Sequence, residues 1–446
     1  MGVVRFLLYA PAMGKTYSSK KYVSSILTSE IGRYGSPKTK ILWLTPLRSL
    51  RNRERYDLIH NFRTPAKYAH LLPSKEEAGC PLMRKNYSPI LSLVLCLNCP
   101  SKNCWYHQLI KEYIESNEGG IWVGTHHFLP FSIYGHAKIV VVDEYDAMIP
   151  FNLITTIPAD QVEKLIQMRL VDKEVLRKLH RKGMLYKWGD VYWIPMKVFF
   201  YHVSLYAKEL ILLSATPPPR EFGFELTFFD PDQVPEDVVD SFDMNVRIEE
   251  KVVVPKTHKI EGCVLGENIY VRSAKREAVL NEIPRIVNRL GGKTTIIVAS
   301  KRERERLRNI LEKRLPNLKI ATDSEYEYHK LSDADVRVIV VGGLVNRGWD
   351  IDSDNVIALW QYMPPNEKIK LLQFLTDYLD TSQENVLTYI EYRKHVQTLF
   401  RAVRSYSNPH TLILLDSNYY SALNSFRTTR FLTPSLRIVK SLDCLH

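Results

Sequence analysis

The chain has 446 residues, 45% hydrophobic and 25% charged, with a net charge of +12 and six cysteines. That length suits two or three domains of ordinary size, and the composition is that of a globular protein, which excludes disordered and fibrous classes. The positive charge favours a polyanionic partner such as nucleic acid and says nothing about fold.

No apolar run approaches the ~18 residues that a bilayer span needs. The stretch FLLYAPA is too short for a secretory leader, and Phe6 breaks the myristoylation pattern after Met1-Gly2. The sequence therefore reads as intracellular, cytoplasmic or nuclear, with no membrane partner. Four of the six cysteines crowd between residues 80 and 104. In a long intracellular chain such crowding points to metal rather than disulfides.

In chain order, Phe6 to Tyr9 reads as a short buried strand, followed by a tight loop and a helix from about Gly14. The loop, Ala12-Met13-Gly14-Lys15-Thr16, closes with the back half of a phosphate-binding P-loop. In that device backbone N–H groups at a helix N-terminus cradle phosphates, the Lys reaches the β/γ-phosphates, and the hydroxyl binds Mg²⁺. Tyr9 stands where the full signature has its first Gly. Ile41 to Leu44 is a second strand, and Thr45-Pro46-Leu47-Arg48 leads into a basic helix through Arg55. Residues 56–79 read as loop. Ile121 to Gly124 is a strand ending at Thr125-His126-His127, and Ile139 to Val142 is a strand running into Asp143-Glu144. Apolar, β-branched strands with helices between them imply a parallel sheet covered on both faces.

Residues 147–209 break this rhythm with helical patterning over Asp160 to Arg181 and an aromatic-rich piece from Tyr186 to Tyr206. Leu210 to Leu213 restores it and ends in Ser214-Ala215-Thr216. Pro217-Pro218-Pro219 closes the first unit. A linker of mixed strand character fills 220–273. A second alternating unit follows, with a helix at 274–289, strands at 294–298, 337–341, 355–359 and 411–415, and a charged helix at 302–313. RERERLR in that helix reads as a solvated face with i,i+4 pairing. The tail after Asn418 reads as partly helical.

Asp143-Glu144 complements the P-loop about 130 residues upstream. A carboxylate at the end of a strand beside the P-loop holds Mg²⁺, and the adjacent Glu can orient and deprotonate an attacking water. The ordered set of motifs resembles the superfamily 2 helicases. Lys15 and Thr16 match motif I, preceded by Ala10-Pro11, and Thr45 to Arg48 resembles motif Ia. Asp143-Glu144-Tyr145-Asp146 stands at motif II, with Asp146 in place of the usual His, and Ser214-Ala215-Thr216 matches motif III. Ala299-Ser300-Lys301 resembles motif IV, Gly342-Gly343 through Asp350 resembles motif V, and Gln397 to Arg404 resembles motif VI with Phe400 in place of a Gly.

Cys80, Cys96, Cys99 and Cys104 follow the spacing C-x15-C-x2-C-x4-C between motifs Ia and II. That is where the XPD/DinG branch carries a four-Cys iron–sulfur domain. Thr125 to Leu129 and Arg401 to Asp416 also resemble that branch. By donor chemistry four thiolates suit either a [4Fe–4S] cluster or tetrahedral zinc.

The resemblance implies an α/β fold of two RecA-like domains, 1–217 and 218–446, with the nucleotide between them. Residues 75–110 would form the Cys₄ insertion and 147–209 a short Arch-like helical insertion. It implies ATP and Mg²⁺ as ligands, with Ala12, Met13, Gly14, Lys15, Thr16, Asp143, Asp350 and Gln397 around the nucleotide and Lys15, Asp143 and Glu144 as catalytic residues. Arg401 and Arg404 would act as arginine fingers. It further implies a monomer moving 5′→3′ on single-stranded or forked DNA, with RNA possible. Two competitors stand beside it: a translocase or remodeller that does not unwind, and a nucleic-acid-binding protein whose ATPase core is degenerate.

Overall fold

The structure is a computed structural model. It describes residues 3–9, 14–80, 104–128, 137–148, 156–169, 172–181, 185–193, 203, 206–214, 216, 247–253, 260–265, 273–324, 328–343, 351, 353–359, 372–373, 376, 381–402, 410–416 and 435–439. Residues 1–8 and 14–252 belong to one compact unit and 253–446 to a second. The division expected at 217/218 lies outside the described residues.

In the first unit the strands are β1 (Val3–Tyr9), β2 (Lys40–Thr45), β3 (Ala69–Leu71), β4 (Gly120–Thr125), β5 (Ile139–Asp143), β9 (Glu209–Ser214) and β10 (Arg247–Val253). They form one sheet in the order β10-β1-β9-β5-β2-β4-β3. The pairings from β1 through to β3 are parallel, with Val140 opposite both Leu42 and Leu210. β2, β4, β5 and β9 are buried along their whole lengths. That is why the sequence shows apolar runs there and not alternation. On this sheet lie helices α1 (Lys15–Tyr34) and α2 (Arg48–His60). α1 buries Ser19, Lys20, Val23, Ser24 and Leu27. This is one helical stripe, and its apolar members join Ile41, Trp43, Val123 and Val141 in the core. Helix α3 (Trp105–Glu115) follows the cysteine-rich segment.

Two expectations change here. The basic helix runs on to His60 because Leu58 is fully buried, and β3 follows within residues that read as loop. The insertion has its two helices, α4 (Ala159–Gln167) and α5 (Lys173–Arg181). It also has a three-stranded antiparallel sheet of β6 (Thr156–Pro158), β7 (Tyr186–Trp188) and β8 (Val191–Trp193), in the order β6-β8-β7. Gly189, with φ 57°, turns β7 back on β8, and the Tyr186 and Trp193 rings meet at 5.9 Å.

The second unit repeats the plan. Its strands are β11 (Ile260–Leu265), β12 (Thr294–Val298), β13 (Ile320–Thr322), β14 (Val336–Val340), β15 (Asn355–Ala358), β16 (His410–Leu414) and β17 (Ser435–Val439). They pair in parallel in the order β13-β14-β12-β15-β16-β11-β17. Helices α6 (Ser273–Leu290), α7 (Lys301–Arg314) and α8 (Gln383–Ala402) complete its described layers.

Within the tail expected to be helical, β17 adds to the sheet beside β11. The RERERLR helix is solvated only in part. Arg308 pairs with Glu312 at 2.7 Å, but Arg304 is buried and meets Asp323 at 3.0 Å. Among the described residues no helix is long and apolar enough to cross a membrane.

Candidate nucleotide-binding site

In a parallel sheet all carboxyl ends lie on one edge, and ligands bind in the crevice outside that edge. The register of the first sheet brings Asp143, Ser214, Thr45 and Thr125 to it. β1 delivers the chain to the same edge, and Gly14 turns it into α1. Gly14 sits in the left-handed region at φ 75°, ψ 25°, a conformation that a side chain disfavours. Lys15 and Thr16 open α1 and are half-buried.

Thr16 is 127 residues from Asp143 in sequence, yet its hydroxyl donates to Asp143 Oδ2 at 3.1 Å, with Oδ1 at 3.4 Å. Asp143 is buried, and its backbone carbonyl accepts a 2.8 Å hydrogen bond from His126 Nε2. That bond places the imidazole proton on Nε2. Buried His126, just past the end of β4, thereby braces the end of β5. Burial, with Arg48 nearby, lowers the pKa of the neighbouring His127. Glu144 has φ 52°, one of three non-glycine residues with positive φ among the described residues. A carboxylate carried on such a backbone marks a position where the surroundings over-determine a costly conformation.

Asp146 is fully buried. It accepts hydrogen bonds from Ser214 Oγ and Thr216 Oγ1, both at 2.7 Å, while Thr216 N donates to Ser214 Oγ at 2.9 Å. A carboxylate here satisfies two hydroxyls at once, so the departure from His gives a closed link between the ends of β5 and β9. Sequence reading registered Asp146 only as a mismatch. The matching signal was the hydroxyl pair Ser214 and Thr216, which needs an acceptor once β9 is placed beside β5.

The other expected residues fall as follows. Ala12, Met13, Asp350, Arg404, Cys96 and Cys99 lie outside the described residues. Gln397 is half-buried on α8, and Arg401 lies in the last turn of α8 with its side chain outside the description. Cys80 and Cys104 are half-buried free thiols. Cys104 is the N-cap residue of α3. Among the described residues no group of three or more His, Cys, Asp or Glu side chains is arranged to hold a metal.

In the second unit Gly342 has φ 72°. Asp323, at the end of β13, accepts from Arg304 at 3.0 Å and from the Val340 N–H at 3.2 Å, so it pins the start of the Gly342-Gly343 turn. A Cβ on Gly343 would overlap Asp323 Oδ2.

No protein-family model and no curated protein matches the chain. Solved structures do. Xpd4 of S. tokodaii is 10% identical and aligns over 98% of this chain and 96% of its own, with a TM-score of 0.53. An XPD structure in its apo form is 13% identical over 98% and 97%, with a TM-score of 0.51. The chain shares its two-unit parallel α/β fold with these XPD structures. Mss116p bound to ssRNA and AMP-PNP is 11% identical over 100% of this chain and 72% of its own, with a TM-score of 0.50. At these identities the likeness to XPD and Mss116p is one of fold.

Proposed function

We propose that this chain is an ATP-dependent helicase that hydrolyses ATP to move along single-stranded DNA and separate duplex. The observation that carries the reading is the contact of Thr16 with Asp143 at the carboxyl edge of the first sheet, with Glu144 beside it. Lys15 neutralises the β/γ-phosphates of the bound nucleotide. The hydroxyl of Thr16 and the carboxylate of Asp143 are adjacent oxygen donors that fit Mg²⁺, and they would hold it. When bound, the ion offsets charge on the β- and γ-oxygens. Glu144 orients the attacking water and takes its proton. Asp146, through Ser214 and Thr216, ties the acidic segment to the end of β9, so that a change at one is felt at the other. Arg401 and Arg404 are the arginines proposed to face the γ-phosphate.

The donor chemistry of Cys80, Cys96, Cys99 and Cys104 fits a [4Fe–4S] cluster, with zinc as the alternative. Either would cross-link the segment from 81 to 103. The charge of +12 suits binding dominated by backbone phosphates and weakened by salt. The resemblance of the motifs to the XPD/DinG branch supports DNA, and the ssRNA in the Mss116p structure keeps RNA as the second substrate to test.

The test is phosphate release by the purified chain with and without single-stranded DNA or RNA, followed by strand displacement on a forked duplex. Strand-stimulated hydrolysis with displacement supports the helicase. Stimulated hydrolysis without displacement on any fork selects a translocase. No hydrolysis with any strand sinks the reading in favour of a nucleic-acid-binding protein.

A further inference from the structure

α1 and α2 meet through an ion cluster that the reaction scheme leaves unused. Lys20 Nζ contacts Glu54 and lies 2.7 Å from Asp57 Oδ2. The Lys20 and Glu54 side chains are each only 6% exposed. Lys20 stands four residues after Thr16, one turn or about 6 Å further along α1. Glu54 stands six residues after Arg48, about 9 Å along α2.

Arg48 itself is 47% exposed, pairs with the exposed Glu76 at 2.6 Å, and begins α2 directly after Thr45-Pro46-Leu47. The cluster thus joins one rod that begins at the nucleotide site to another that begins at an exposed arginine. The loop that follows α2 also meets α1: the Tyr17 and Phe62 rings lie 5.0 Å apart, and Ser24 Oγ and Thr64 Oγ1 lie 3.1 Å apart. Burying charges in an ion pair is often no better for stability than packing apolar groups. The cluster also lies within electrostatic reach of the site, since the charge of Asp143 contributes to raising the pKa of Glu54.

We propose that Lys20, bridging Glu54 and Asp57, is a positioning residue that couples the phosphate-binding end of α1 to the Arg48 end of α2, so that a strand bound at Arg48 accelerates hydrolysis at Thr16 and Asp143. This rests on the ATPase reading above. Strand phosphate that takes Arg48 from Glu76 draws on α2, and the Lys20 bridge passes that displacement to the first turn of α1. Without the bridge the strand still binds and ATP is still hydrolysed, but one no longer reports on the other.

The test compares basal and oligo(dT)-stimulated ATP hydrolysis in wild type, Lys20→Met, Lys20→Arg and Asp57→Asn. In Lys20→Met the stimulation factor should fall by about 5- to 150-fold, the range of ordinary coupling free energies. The basal rate and the half-saturating strand concentration should stay as in wild type. Lys20→Arg should retain most of the stimulation, and Asp57→Asn should lose part of it. A stimulation factor equal to wild type in Lys20→Met overturns the proposal, and so do basal and stimulated rates that fall together. Should Lys20→Met fail to fold, Asp57→Asn, whose side chain is partly exposed, decides by the same ratio. A wild-type chain inert with every strand is a different result: it removes the ATPase reading itself and this proposal with it.

Discussion

The two seven-stranded sheets share a plan and differ in where they keep their polar groups. In the first, side-chain oxygens gather at the carboxyl edge: Thr16 on Asp143, and Ser214 and Thr216 on Asp146. In the second, the densest polar network sits at the amino edge. Arg337, near the start of β14, donates to Leu331 O at 2.6 Å, Ser353 Oγ at 3.0 Å and Ser332 O at 3.3 Å. Ser353 Oγ also pairs with Thr295 at 2.6 Å, and its carbonyl accepts from His410 Nδ1 at 2.6 Å. These partners are largely backbone carbonyls of the turns feeding the strands. One network is arranged where a parallel sheet binds ligands, and the other fastens loops. Buried charge alone therefore does not mark a reactive site, and neither does the carboxyl edge alone, where Asp323 of the second sheet holds only a turn; in the first sheet the two coincide.

The largest effect expected is on that division. Glu144→Gln should lower kcat for ATP by about 10²–10⁴-fold, the usual contribution of a general base, with nucleotide binding retained. Arg337→Met should do the reverse. It leaves kcat at saturating ATP unchanged and lowers stability by about 1.5–3 kcal/mol for lost hydrogen bonds to a charged group. Steady-state kinetics and thermal unfolding of both variants would break the comparison if Arg337→Met reduced kcat as Glu144→Gln does.

A second contrast concerns pH. In the first unit, burial of Glu54, opposed by Lys20 and reinforced by Asp143, pushes its pKa up to about 7. In the second, burial of His395 on α8, with Lys394 adding, pushes its pKa down to about 3. The signs are opposite. The folded first unit holds the Glu54 proton more tightly than the unfolded chain. This contribution is full below the ordinary carboxylate pKa of about 4.5 and is lost as pH rises through about 7, to the order of 3 kcal/mol. The folded second unit resists protonation of His395. Its contribution is full above about 6.5 and is lost as pH falls toward about 3, to the order of 5 kcal/mol. Hydrogen-exchange protection resolves the two units where one global transition would merge them. From pH 5 to pH 8 protection should fall in α2 and rise in α8. Glu54→Gln should flatten the first trend only, and His395→Gln the second only.

Much of the fold was legible because parallel strands buried on both sides leave runs that hardly mimic anything else. Thr294 to Val298 was read to the residue, and β2, β4, β5 and β9 to within a residue at each end. β3, β13 and β17 were not, because three- to five-residue strands of mixed composition owe their conformation to a neighbour already in place. At the site, Lys15, Thr16, Asp143 and Glu144 were legible from local residue order. The bonds of Asp146 and Lys20 were not. Asp146 meets partners 68 and 70 residues away, and Lys20 meets one 37 away. Pairs between separate elements carry no periodic signal, and an acidic residue in a basic helix reads as solvated until the facing helix is known. The same reason hid Arg304 among the charges of α7.

The smallest effect tests the carboxyl edge of the second sheet. Gly343 has ordinary room in its backbone conformation, so its constraint is spatial. Asp323 Oδ2 occupies the volume a Cβ would need, and the Val340 carbonyl closes in at 2.9 Å. Asp323 cannot retreat freely, because Arg304 holds its other oxygen and the Val340 N–H holds this one. Gly343→Ala should therefore cost about 1–3 kcal/mol, as overpacking of a close-packed site does. Releasing the carboxylate in the double variant Asp323→Ala, Gly343→Ala should remove part of that cost relative to Asp323→Ala alone, the rest remaining with the Val340 carbonyl. A thermodynamic cycle on the two positions measures this. Additivity would mean that the turn rejects the methyl for reasons other than Asp323. A coupling that accounts for part of the Gly343→Ala cost would mean that the second sheet, like the first, uses a buried carboxylate at its carboxyl edge, here to shape backbone and not to gather hydroxyls.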